Sequence, residues 1–559
     1  MVMTAISHKA LQRAIGKDLS VEEIRSALFD LGMDLKNQED DLLSVEITAE
    51  RLDLISIHGL ARAIRSLLGL TSHPPQYAAS KSDYVVKVTE AVKEVRPRTV
   101  CAVIKNLDLD DERIEEIIEV QEKLHSTLAR GRKRGAIGIY PMGAIKMPIT
   151  YTADRPDKIR FLPLNADREM TGAEILEDHE TGIAYKHLLE GKTMYPYFID
   201  AAGEILSMPP VINSEKTGRI NSSTTDIFIE CSGFEKQILD EMLVNLTTMF
   251  ADMGGDVFTV DVAYADGTLD TTPDLSTREM SLSSHSIKKY LGLDLSDEQV
   301  RKLLSRMMYE VSDKTAESKD GSTVWTVEAP AFRFDLWHEV DIIDDIARAY
   351  GFNNFELTVP NISTIGGVLT RSRVREEIAE ILLGLGFLET YTFAITNEES
   401  QYDNLRLDRD RESFIPIANG NENQTMLRTR LLPEQLKCLV HNRSRPLPQK
   451  IFEGAFVTLP DDDSDVRARN ELRLSALMTD KVVTFTEIRQ VLEHVFRSRG
   501  VDAEFRPVTT PYFLEGRSAE VFIDGKPIGV VGELHPEVLE NFGIVTPVGA
   551  FEISLDALL

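Results

Sequence analysis

Apolar residues at Ile24, Leu28 and Leu31 fall at the three- and four-residue spacing of a helix with one buried face. The same spacing returns at Val300, Leu304 and Met307. Each run follows a serine suited to cap it, Ser20 or Ser296, and Gln299 completes a capping box in the second. The likeness goes beyond periodicity. LQRAIGKDLSVEEIRSALFDLGMDL at 11–35 aligns without a gap on IKKYLGLDLSDEQVRKLLSRMMYEV at 287–311, at a constant offset of 276 (292 − 16). Further on, RLDL at Arg51–Leu54 corresponds to RFDL at Arg333–Leu336, and LARA at Leu60–Ala63 to IARA at Ile346–Ala349. The second copy carries four more residues between these anchors (348 − 333 = 15 against 62 − 51 = 11). The pattern predicts one small helical module present twice, over 1–75 and 275–358.

Between the copies, 80–265 reads as a larger unit. It opens on the alternating strand Val100–Leu109, continues into a charged helix that ends in LARGRKRGAIGIY, and later holds the strand Asp226–Gly233. Beyond a junction near Val359 and Pro360, the pattern predicts a helix at Arg371–Leu385 and a strand at Gly386–Ile395. A polar loop at Ile417–Pro433, a strand at Ile451–Leu459 and a C-terminal α/β alternation follow. GKPIG at Gly525–Gly529 is a hairpin turn. The segment 362–559 is therefore expected to be an α+β domain on a mostly antiparallel sheet.

Composition narrows the class without naming a chemistry. At 559 residues, with 42% hydrophobic and 27% charged, the chain is expected to be a multidomain globular protein. Three cysteines, far apart and without a CxxC pair, argue against a disulfide framework or a structural zinc site and fit a reducing cytosol. No run approaches a membrane span and the first residues lack a leader-type apolar core, so a cytoplasmic location is expected. The net charge of −29 disfavours a general nucleic-acid binder, although a local basic stripe can still meet phosphate.

Three stretches carry candidate chemistry. In RFDLWHEVDIIDDIARAYGF, Asp341, Asp344 and Asp345 share a helix face, with Asp335 just upstream. Converging carboxylates call for a hard cation, a basic partner or water, unless they only mark a helix start. The first module lacks both the insertion and the three helical acids, which favours a gained site. Arg130, Arg132, Lys133 and Arg134 form the densest basic patch, either a solvated loop or a phosphate contact. The loop carrying Asn213, Ser214, Thr217 and Gly218 follows a Pro-Pro turn and could read a small ligand or merely turn the chain.

Taken in order, RLDLISIHGLARA, PPVINSEKTGRI, RFDLWHEVDIIDDIARAYGF, LRTRLLP, FEGAFV and FLEGRSAEV…IGVVGELHPEVL resemble the β subunits of phenylalanyl-tRNA synthetases over nearly the whole chain. The compact length is similar to that of the archaeal and eukaryotic form. The resemblance implies an α+β multidomain fold. It would comprise duplicated small helical, DNA-binding-like modules, a central α/β editing domain, and a C-terminal domain like a class II synthetase catalytic domain but inactive. It further implies an (αβ)2 heterotetramer with an α subunit that performs ATP-dependent aminoacylation of tRNA(Phe). LRTRLLP and FEG would be remnants of an ATP-binding motif, and no glycine-rich third motif follows them. By the same resemblance, Asp335, Asp341, Asp344 and Asp345 would form a Mg2+ site at the subunit interface. The central unit would hydrolyse mischarged Tyr-tRNA(Phe), with Asn213, Ser214, Thr217 and Glu230 as pocket residues. His125, Arg130, Arg132, Lys133 and Arg134 would approach the tRNA, and Pro141 stands where relatives often have Asp. The alternatives are a scaffold subunit that binds without hydrolysing, and a nucleic-acid-binding regulator built on the repeated modules.

Overall fold

The computed structural model describes residues 2–71, 73–317, 321–362, 364–411, 413–421 and 423–559; Glu422 of the expected polar loop lies outside them. The chain forms two compact units, Met1–Thr358 and Val359–Leu559.

In the first unit the repeat is visible atom by atom. The helices His8–Ile15 and Ser284–Leu291 both end on a left-handed glycine, Gly16 at φ 75° and Gly292 at φ 71°. Any side chain there would be strained. Helices Val21–Asp30 and Asp297–Arg306 both start from complete capping boxes, Ser20 with Glu23 and Ser296 with Gln299. Arg25 donates to the Leu35 carbonyl at 2.8 Å and Arg301 to that of Val311 at 3.2 Å, again 276 positions apart. The modules are not purely helical, which corrects the expectation. Each contains a three-stranded antiparallel sheet: Val2–Ser7, Asp34–Glu39 and Leu42–Ile47 in one, Arg278–Ser283, Glu310–Glu317 and Thr323–Ala329 in the other. DLKNQE pairs along one edge with a single buried side chain, so it lacks the alternation that marks a strand.

The four-residue insertion becomes one extra helical turn. Helix Ile57–Leu67 begins three residues before Leu60, whereas Glu339–Tyr350 begins seven before Ile346. That added turn holds Glu339, Val340, Asp341 and Ile342.

The central part of this unit is a ten-stranded mixed sheet. Strand Ile227–Gly233 lies between Arg98–Lys105 and the edge strand Gly135–Pro141, antiparallel to both. Helix Lys236–Asp252 covers one face with Ile238, Leu239, Met242, Leu246 and Phe250. The same apolar core continues into both modules.

The second unit is built on a seven-stranded sheet, antiparallel except for the short strand Leu388–Glu389 beside Gln449–Pro460. Helices Thr370–Gly384 and Phe485–Ser498 join the core on one face, while Leu432–His441 covers the other. A hairpin is present here, but its turn is Asp524–Gly525, both at positive φ, and Lys526–Gly529 of the expected turn already belong to the strand Lys526–Leu534, which pairs with Phe513–Ile523. The strand expected over Gly386–Ile395 is not continuous. Only Leu388–Glu389 and Ile395–Thr396 pair, and Leu388, Tyr391 and Phe393 stand 68%, 73% and 84% exposed.

Candidate functional site

A cavity of about 410 Å³ opens at the edge strand Gly135–Pro141, between helix Asp111–Ser126 and the Pro209–Asn213 turn. Glu230 lies at its inner end, 1% exposed. On its strand Glu230 pairs with Gly138 on one side and Cys101 on the other. Gly138 is needed there: a Cβ would stand 2.6 Å from Glu230 Oε1 and closer still to the Tyr140 hydroxyl. Tyr140 donates to Ser207 Oγ at 2.7 Å and lies 3.2 Å from Glu230 Oε1, while Oε2 takes no hydrogen bond among the described residues. Burial pushes the Glu230 carboxyl up to about 8, against which the Arg96 guanidinium works only in part. At pH 7 Glu230 is therefore neutral, able to donate one hydrogen bond and accept another.

Asn213 lines the same cavity, half-buried, with its amide free of hydrogen bonds to the described residues. Ser214 and Thr217 do not line it. They are 2% and 1% exposed and hold the loop: the Ser214 amide donates to the Leu206 carbonyl at 2.7 Å, and Thr217 Oγ1 donates to it at 3.4 Å. These two are structural turn residues.

His125 reaches the cavity wall but is 3% exposed with both nitrogens engaged. Nε2 accepts from the Ile137 amide at 2.9 Å, so Nδ1 carries the proton and donates to Glu122 at 3.2 Å. Burial lowers the His125 pKa, leaving the ring neutral, and its hydrogen bond, followed by Arg132, brings Glu122 down to about 2. Arg132 sits at φ 63°, after Arg130 at φ 48° and Gly131 at φ 66°, a left-handed run that turns its guanidinium inward. There it pairs with Glu122 at 2.9 Å, donates to the Val211 carbonyl at 3.1 Å and lies over the Tyr185 ring at 4.2 Å. Arg134 pairs with Glu235 at 3.0 Å. Arg130 and Lys133 are exposed and have no ion-pair partner among the described residues, so the basic patch presents two available cations. Tyr140 and Ser207, which position Glu230, carry no sequence signal of their own.

The four acids of the second module line another cavity of about 350 Å³, together with Arg51, Arg333 and Arg348. Arg333 binds Asp335 through two nitrogens, at 2.8 and 2.7 Å, and Asp345 at 2.8 Å. Burial pushes Asp335 up, but Arg333 and then Arg51 outweigh it and hold its carboxyl below the usual range. Asp341 Oδ2 accepts from the Trp337 and His338 amides at 2.6 and 2.7 Å, closing the helix start, and Asp344 Oδ2 pairs with Arg348 at 2.8 Å. Arg51 is occupied by Asp53 at 2.9 Å. Four carboxylates thus face two guanidiniums, leaving a formal excess of two negative charges once the exposed Glu50 is set aside. Oδ1 of Asp341, Asp344 and Asp345 takes no hydrogen bond among the described residues. As the side chains stand, no three His, Cys, Asp or Glu among the described residues are gathered as a metal ion would need.

Arg428 and Glu453 of LRTRLLP and FEGAFV are 4% and 1% exposed and bound to each other at 2.9 Å. Both are spent inside the second unit.

Comparison with known proteins places the chain in a class. The family model described as phenylalanyl tRNA synthetase beta chain CLM domain matches 356–555, and that of the tRNA synthetase B5 domain matches 280–352. This is an aminoacyl-tRNA synthetase-type chain. Among curated relatives it is 38% identical to the phenylalanine–tRNA ligase beta subunit of Archaeoglobus fulgidus, over 98% of this chain and 97% of that one. It is 36% identical to that of Pyrococcus furiosus, over 99% of each. The crystal structure of an N-terminal fragment of the Pyrococcus horikoshii phenylalanyl-tRNA synthetase beta subunit matches with TM-score 0.59 and 37% identity, over 63% of this chain and 100% of that one. The chain belongs to the phenylalanine–tRNA ligase β-subunit family. Among the described residues no helix is long and apolar enough to cross a membrane.

Proposed function

We propose that this chain is the β subunit of a cytoplasmic phenylalanine–tRNA ligase. In it an α subunit joins phenylalanine to tRNA(Phe) at the expense of ATP, and the β pocket hydrolyses tyrosine wrongly attached to that tRNA. The observation that carries the editing reading is Glu230, a neutral carboxyl at the closed end of a 410 Å³ cavity with one oxygen unpaired. A tyrosyl hydroxyl would pair with it. A phenylalanyl ring would leave it unpaired and buried, the arrangement that discriminates best between such a pair. Asn213, with its free amide nearer the mouth, would hold the ester carbonyl or the attacking water. Ser207 is engaged by Tyr140, so water is the nucleophile this pocket supports. The engagement of Arg428 by Glu453 supports placing adenylation on the α chain. The test is deacylation of Tyr-tRNA(Phe) by the reconstituted complex. Asn213→Ala should abolish release of tyrosine while leaving tRNA affinity unchanged. No release by the wild type would leave the scaffold reading standing, whereas equal release by the variant would remove Asn213 from the reaction.

Arg130 and Lys133 would meet tRNA phosphates. Replacing both with serine should weaken tRNA binding and lower the slope of log K against log salt by about 1.4–1.8, without changing the preference for tyrosine over phenylalanine. Filter binding across a salt series reads both quantities.

The excess of two charges in the acid cavity supports a divalent cation at the interface with the α chain, whose binding would have to draw together carboxylates that are not gathered as the side chains stand. When bound, Mg2+ would supply a fixed positive centre. Asp341 and Asp344 would offer Oδ1 directly, and Asp335 and Asp345, already held by Arg333, would act through water. Asp341→Asn with Asp344→Asn should make assembly of the proposed (αβ)2 heterotetramer insensitive to Mg2+ and weaker by about tenfold or more, read by light scattering with and without EDTA. Assembly unchanged in both respects would leave these acids as helix-start residues only.

A further inference from the structure

The repeat provides an internal control for the surface beside the acid cavity. RLDL is followed by Ile55 and RFDL by Trp337, equivalent positions at one offset (337 − 55 = 333 − 51 = 282). Ile55 is 3% exposed, sealed in the shared core; Trp337 is 74% exposed. Next to it, in the turn that only the second module has, Val340 is 45% exposed. The Trp337 amide is fixed by Asp341, so the indole projects from a rigid helix start. An apolar body rimmed by Asp341 and by Asp344, whose side chain is 52% exposed, is the reverse of a solvated surface, where a large aromatic would be costly.

We propose that Trp337 and Val340 are the apolar anchor by which the second module docks the α subunit, in an apolar recess of that partner edged by lysine or arginine. The charge of the rim selects the partner's chemistry, and a rigid, central tryptophan is the residue type that dominates such contacts. In the first module the equivalent position packs against the chain's own core; in the second it packs against another chain. The inference rests on the α-partner reading and adds the residues through which the second module makes that contact.

The chain has two tryptophans, and Trp325 is 1% exposed, so the pair separates cleanly. Chain grown with 7-azatryptophan, which can be excited apart from the partner's own tryptophans, is titrated with the α subunit and probed by acrylamide quenching. Trp337 should be open to quencher in the free chain and protected in the complex. Trp337→Ala should weaken α binding by about thirty-fold or more, with the emission of Trp325 unchanged as the sign of an intact fold. Leu269→Ala, at another exposed apolar residue, should bind like wild type. If the wild-type chain forms no complex with α, both the α-partner reading and this inference fall. If it does, but Trp337 stays as quenchable as before or Trp337→Ala binds equally well, only this inference falls.

Discussion

Replacing Glu230 with leucine is expected to erase most of the pocket's preference for tyrosine while leaving the fold at least as stable. The carboxyl is buried with Oε2 unpaired, a cost to the native state that leucine removes. The phenol of a tyrosyl ester would lose its partner, at about 2–3 kcal/mol, so kcat/KM for release of tyrosine should fall roughly 30–150-fold. Release of phenylalanine from correctly charged tRNA should not fall, because the ring no longer leaves a polar atom stranded. Stability against pH checks the same group independently. Its carboxyl sits at about 8 in the folded chain against an ordinary 4.5, so the folded state holds a proton that the unfolded state has lost. Stability from this group is fully present below pH 4.5, declines as pH rises, and levels off above about 8, by a few kcal/mol overall. In Glu230→Gln that decline should vanish. Urea midpoints of wild type and variant from about pH 4.5 to 9 should therefore diverge steadily; parallel curves would mean that Glu230 is charged in the folded chain.

The second large effect is expected in the second unit. Tyr391→Ala combined with Phe393→Ser should abolish co-purification with the α chain. Leu388, Tyr391 and Phe393 are exposed on a segment that reads as one continuous strand but pairs as strand only at Leu388–Glu389, beside Gln449–Pro460, and at Ile395–Thr396, beside Met426–Leu427. Exposed aromatic side chains grouped in this way mark a surface suited to a partner chain. Truncating two aromatic anchors at about 2 kcal/mol or more each should weaken binding by about 1,000-fold. With both side chains more than two-thirds exposed, the free variant should keep its thermal midpoint. Unchanged assembly with the α chain on light scattering would remove this surface from the interface.

What the sequence discloses follows from how local each determinant is. The doubled module, its capping serines and its terminal glycines are legible because caps and apolar spacing act within a single turn. The capping box at Ser20 and Glu23 is equally local, and only the structure brings it out in the first copy. The module hairpins are hidden because DLKNQE pairs along a polar edge. Glu230 is legible as an acid inside the apolar run DIFIECSG. Its positioning by Tyr140, Ser207 and Gly138 is not, since those residues meet only once three strands are side by side. Ser214 and Thr217 stand in the loop that suggests a pocket but serve the turn, as Ser and Thr commonly do. His125 is expected at the tRNA surface, yet its ring closes on the Ile137 amide twelve residues away, a contact no spacing rule announces. The acid cluster shows in the insertion alone, but the dominance of Arg333 over two of its four members depends on a fold-back that the sequence only suggests.

The measurement that bears most directly on the account is the hydrolysis of Tyr-tRNA(Phe) and Phe-tRNA(Phe) by the wild-type complex, followed side by side at about pH 7 under conditions where no new charging occurs. The neutral Glu230 predicts release of tyrosine at least about 100-fold faster than release of phenylalanine. Release of both at the uncatalysed rate, or of both at one enzymatic rate, would contradict it.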